Sequence, residues 1–269
     1  MLSKLMKYEF KATGRTLLPL YGALLGFALI NRILFRGSLD ETINETFGTI
    51  GNIANFISVF AYGCTMAAVF VVTFFVIVQR FYKNILGDEG YLMNTLPVKP
   101  YLNIINKILV SAIWTIVSCF VAFLSLLILF ATLHDIREII SLIIPSFREI
   151  YSNYGSFPYL IFFELCILGI IQIIKSITMI YASMSIGHLF SKSKILLSFV
   201  SFIVLNIVVN IINSIGVSIS LKLDLLKSVS PSTGSIGILF LVLILTNIIY
   251  FSIYFFITNY ILKNKLNLE

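Results

Sequence analysis

Six apolar runs of 19 to 27 residues divide this chain, at positions 17–35, 53–78, 108–133, 159–180, 195–217 and 236–262. Each is long enough to cross a hydrocarbon core about 30 Å thick as an α-helix. Strands of a membrane barrel would be about ten residues long and would alternate in polarity; these runs do neither. With 59% apolar and 12% charged residues, the chain carries too little charge to cover a water-facing surface. The expected fold is an all-α membrane protein: six transmembrane helices in a single transmembrane domain over 1–269.

Charge gives an orientation. The N-terminal segment, the 79–107 and 182–194 connections and the C-terminal tail hold twelve Lys and Arg, against five on the opposite side. The positive-inside rule then puts both termini in the cytoplasm, and anionic lipid accounts for the net charge of +7. No basic soluble domain exists to bind nucleic acid. The first run continues through Asn31 and Arg32 without a small-x-small cleavage site, so it reads as a retained helix rather than a signal peptide. On the outer side, 36–52 is net acidic and 218–235 is rich in Ser and Gly. The 132–158 segment has mixed charge and the aromatics Phe147, Tyr151, Tyr154 and Phe157, with Tyr159 just after it, which suit a lid or an interfacial belt.

Residues 1–15 read as a short helix lying in the membrane interface. Leu2, Leu5, Met6 and Phe10 share one face, with Lys4, Lys7 and Lys11 opposite. Glu9 falls within the apolar arc. Either a protein partner receives it, since lipid alone would make it costly, or the helix rotates so that it reaches water.

Polar residues within the runs form two stripes. Asn206, Asn210 and Asn213 line the fifth, and Asn55, Ser58, Tyr62, Thr65 and Thr73 the second. Each stripe should face other helices or a hydrated path. Glu164 and Lys175, eleven residues apart in the fourth run, have backbones separated by about 16 Å. Snorkelling to opposite interfaces explains them; an ion relay is the other reading. Cys64, Cys119 and Cys166 lie inside apolar runs without CxxC spacing and read as small buried hydrophobes. His134 and His188 stand alone, so no metal site is expected.

No GxxxxGKS/T phosphate loop, HExxH or GxSxG occurs. The chain is expected not to be an enzyme, with no cofactor of its own. The 79–107 connection holds the most informative residues. Gly87 breaks the chain, Asp88 and Glu89 suit a helix N-terminus, and Pro97 ends the segment they open. Pro100 then begins the next span. Tyr91, Leu92, Met93 and Leu96 give this connection apolar surface to bury.

The pattern Glu89-Gly90-Tyr91-Leu92, Thr95-Leu96-Pro97-Val98 and Lys107-Ile108 resembles the loop between helices two and three of ABC-2-type transporter permeases. Lys7-Tyr8-Glu9-Phe10-Lys11 before a six-span profile, and Ser185-Ile186-Gly187-His188-Leu189-Phe190 after the fourth span, are similar to the same family. The resemblance implies a bacterial cell-membrane permease dimer, of two copies or two paralogues, with a separate ATP-binding subunit that carries ATP and Mg. Asp88, Glu89, Gly90, Tyr91, Leu92, Leu96 and Pro97 would then form a coupling helix docked on the ATPase. Small permeases of this kind resemble those for antimicrobial-peptide export and immunity. The alternatives are an ion-gradient secondary transporter using Glu164 and Lys175, and a non-transporting membrane scaffold or sensor.

Overall fold

A computed structural model describes residues 2–39, 41–87, 90, 100–131, 133–190, 193–222 and 233–265. Seven α-helices are described: α1 (Leu2–Leu39), α2 (Glu41–Phe81), α3 (Pro100–Phe130), α4 (Leu133–Tyr154), α5 (Phe157–Gly187), α6 (Lys194–Lys222) and α7 (Thr233–Asn264). A π-helical turn, Tyr82–Leu86, continues α2. All except α4 contain a stretch long and apolar enough to span a bilayer, which makes six spans. The protein is a six-span, all-α membrane protein. Its helices form two compact units, Met1–Ile77 with Ile113–Phe147, and Val78–Ala112 with Arg148–Glu269.

In the first unit, one line of side chains along α1 is buried: Glu9, Thr13, Leu17, Tyr21, Leu24, Ala28 and Asn31. The steps of three and four are those of a single helix face. Residues 2–15 and the first span are therefore one continuous helix, with Pro19 inside it. Lys4, Lys7 and Lys11 are exposed, while Glu9 is turned inward and only 7% exposed.

Hydrogen bonds between spans cluster on this face. Ser118 Oγ on α3 donates to the Trp114 carbonyl at 2.9 Å and meets Tyr21 Oη of α1 at 2.7 Å and Thr73 Oγ1 of α2 at 2.8 Å. Further along, Tyr62 Oη and Ser125 Oγ pair at 2.9 Å, and Asn31 Nδ2 donates to the Ser58 carbonyl at 3.1 Å. Arg32 Nη1 donates at 3.0 Å to the carbonyl of Ile128, in the last turn of α3, where carbonyls lack intrahelical partners. Trp114 packs between Phe10 and Tyr21, with ring centroids 5.8 and 6.1 Å away.

In the second unit, α5 packs on both α6 and α7. Met179, Ala182 and Tyr254 form a core against Phe202, Leu205, Val209, Tyr250 and Ile257.

Three expectations are corrected. The 132–158 segment contains a 22-residue helix, α4. It was hard to read as one because its apolar side chains are interleaved with charge and a proline. The 36–52 segment is helical on both sides of position 40 rather than a loop. Cys64, Cys119 and Cys166 are exposed, not buried; a thiol is apolar enough to face lipid.

Tyr21→Phe and Thr73→Val should each cost about 1 kcal/mol of stability, the scale of interhelical hydrogen bonds in membranes. The double variant should cost less than the sum, because both bonds end on Ser118. A double-mutant cycle of thermal unfolding in detergent measures this.

Candidate functional site

The residues that flank the 88–99 segment are drawn together within the second unit. Phe81, the last residue of α2, stacks on Tyr181 of α5 with centroids 3.9 Å apart and planes 8° from parallel. Tyr181 is fully buried. Its hydroxyl pairs with Ser111 Oγ of α3 at 2.7 Å and lies 3.4 Å from the Lys107 carbonyl. One side chain thus holds the ends of α2, α3 and α5.

The π-helical turn follows directly. It buries Ile85 and Leu86, and the Gly87 N–H closes it by donating to the Tyr82 carbonyl at 2.7 Å. Widened turns of this kind often mark functional positions. Gly87 then turns to extended backbone, and the Gly90 N–H donates to its carbonyl at 2.8 Å. Gly90 is helical and buried. Asp88, Glu89, Tyr91, Leu92, Leu96 and Pro97 lie outside the described residues.

Pro100 opens α3, as its fixed φ and missing N–H favour at a helix start. Asn103, Ile104, Asn106, Lys107 and Ile108 line its buried face. Among the described residues no donor meets the Oδ1 atoms of Asn103 and Asn106, an unusual state for buried oxygens. They lie within two turns of the end of the 88–99 segment.

The Ser185–Phe190 stretch closes the cluster. A Cβ on Gly187 would stand 2.5 Å from the Ser198 nitrogen and 2.6 Å from its Cα, besides striking Oγ. Only glycine lets the end of α5 lie this close to the first turn of α6. His188 sits edge-on to Tyr82 at 5.0 Å. Burial first, then the charge of Lys194, holds its imidazole below the ordinary 6.5.

The asparagine stripe of α6 is divided. Asn206 donates to its own helix at the Phe202 carbonyl, Asn213 accepts from the Tyr250 hydroxyl of α7 at 2.9 Å, and Asn210 is exposed. On α2, Tyr62 and the Ser58 backbone bond to neighbouring spans as described, while the Asn55 side chain lies outside the described ones. Glu164 Oε2 comes within 3.6 Å of where a Cβ of Gly237 would stand, beside the opening turns of α7. Lys175 is half-buried further along α5. Sequence reasoning missed Phe81, Tyr181 and Ser111; they stand at or near the ends of apolar runs without any local pattern, and only their meeting marks them. Among the described residues, no group of three His, Cys, Asp or Glu side chains is placed to hold a metal ion.

No family model, curated protein or solved structure matches the chain.

Gly187→Ala should destabilise the protein by about 1–3 kcal/mol, the usual cost of overpacking, read as a lowered unfolding temperature in detergent. His188 gives a pH dependence of defined sign. The unfolded chain takes up a proton near pH 6.5 before the folded chain does, so stability present above 6.5 is lost as the pH falls toward the lower folded value. The unfolding temperature should drop across that window, and His188→Gln should flatten the drop.

Proposed function

We propose that this chain is the permease subunit of an ATP-driven ABC exporter, energised by a separate ATP-binding subunit and paired with a second permease. The observation that carries the reading is the packed base formed by residues that flank positions 88–99 in sequence. Phe81, Tyr181, Ser111 and the Lys107 backbone tie three span ends together, and Gly187 seats a fourth against Ser198. A force applied to a segment anchored in such a base reaches several spans at once, because packed interiors transmit displacement rather than absorb it. The acid, apolar and proline residues of that segment, and its resemblance to ABC-2-type loops, supply the partner. Asp88, Glu89, Gly90, Tyr91, Leu92, Leu96 and Pro97 dock on the ATPase. Lys7 and Lys11, exposed at the N-terminal end of α1, meet lipid phosphate at the cytoplasmic interface, and both termini are cytoplasmic. The substrate is an amphipathic or hydrophobic molecule such as an antimicrobial peptide, since the spans offer hydroxyls and amides but few charges along their inner faces.

Glu89→Ala and Leu96→Asp should reduce the ATPase recovered with the purified permease several-fold while leaving the amount inserted in the membrane unchanged. Undiminished recovery with full stimulation of ATP hydrolysis would count against coupling through this segment. Transport that persists without any ATPase and fails in Glu164→Gln would replace the reading with ion-gradient transport.

A further inference from the structure

We infer that α4 is a membrane-surface anchor. It lies in the headgroup region of the leaflet opposite the N-terminus, with one face in lipid and two arginines toward the phosphates. The inference rests on the chain spanning a bilayer and stands apart from the exporter reading.

Topology supplies the first argument. The third span ends at Phe130 and the fourth begins at Phe157, so two residues join α4 to a span at either end. A helix tethered this closely at both ends is held at the bilayer boundary. The second argument is its surface. Ile143, Phe147, Ile150 and Tyr151 recur at i, i+4, i+7 and i+8, which places them within about 100° of the helix circumference. All four are exposed, Phe147 by 53% and Tyr151 by 61%. The rest of the circumference carries Arg137, Glu138, Ser141, Arg148, Glu149 and Ser152, with Leu142 as an apolar residue among them, likewise exposed. Ile143, Ile150 and Tyr151, exposed together on one face, mark an interaction surface.

Charge and period name the occupant. Arg137-Glu138 recurs as Arg148-Glu149, eleven residues on. Eleven residues fall only about 20° from three full turns, so both arginines lie on one line. That line borders the apolar arc next to Tyr151, where a long cationic side chain reaches phosphate while its stem lies on lipid. The glutamates fall farther round, toward water. Tyr151 and Tyr159 pack together, with centroids 6.4 Å apart, which ties the helix to the aromatic start of the fourth span at the level where tyrosines prefer to sit.

The test uses the full chain with its three cysteines replaced by alanine, reconstituted in vesicles of phosphatidylethanolamine and phosphatidylglycerol. Nitroxide labels go on Ile143→Cys and Ile150→Cys in the arc, and on Ser141→Cys and Glu149→Cys opposite. Collision with oxygen should dominate at the first pair, at a depth of about 5–10 Å, and collision with a water-soluble nickel complex at the second. Nickel-dominated collision at all four would show a helix standing in water. Shielding of the arc from both reagents would show a protein occupant, such as a second copy of this chain. Either result overturns the inference. A second variant, Ile150→Trp, needs no label. After subtraction of the Trp114 signal, its emission should be quenched by lipids brominated high in the acyl chain, and absence of quenching also overturns the proposal.

Discussion

Hydrocarbon offers no partner to a polar group, and the structure follows from that. Backbone amides are satisfied only inside helices, which dictates six long ones. Polar side chains must then find one another, and this fixes which faces of the helices turn inward. Along α1 the buried line begins at Glu9 and Thr13 and runs through Tyr21 to Asn31. Tyr21, Thr73 and Ser118 converge from three helices, and Tyr62 with Ser125 repeats the device further along. Each bond contributes little by itself, since a chain unfolded within a membrane also finds partners. Together they define rotation, because turning any of these helices would expose several hydroxyls to lipid.

The cluster around Tyr181 works by shape as much as by polarity. A stacked pair of aromatic rings, a tyrosine hydroxyl shared with α3 and a glycine pressed against Ser198 leave little room for independent movement of the span ends. The π-helical turn adds a residue to the helical circuit just where α2 leaves the apolar run. It thereby re-aims the chain into the 88–99 segment. A rigid base with one re-aimed exit is what a lever requires, and that physical sense underlies the proposed coupling.

Much of this was legible in the sequence because length and hydropathy report directly on spans. Five of the six apolar runs lie wholly within helices, the third outruns the end of α3 at Phe130, and Pro100 opens α3 as its chemistry demands. Glu9 shows the limit of a single helix read alone. Its place in the apolar arc was visible, but its burial depends on the company α1 keeps. The cysteines misled for a related reason: in water an apolar residue is driven inward, whereas in lipid it can face outward at little cost. In α4, Ile143, Phe147 and the Ile150–Tyr151 pair are spread along a segment that also holds charge and a proline, and they join only on the helix surface. Tyr181 gave no signal at all. Its role comes from meeting Phe81 and Ser111, and no local pattern encodes a meeting.

Two charges inside the spans show the same economy of partners. Arg32 donates to a carbonyl in the last turn of α3, where the helix dipole is negative. Glu164 lies beside the opening turns of α7, where it is positive. Each charge therefore sits beside a helix end of opposite sign. Lys175, the other charge on α5, is about 16 Å from Glu164 along the helix, too far to exchange a proton directly. Among the described residues the buried Glu164 Oε2 accepts no hydrogen bond, so what meets it beside α7 is the field of the helix start rather than a donor.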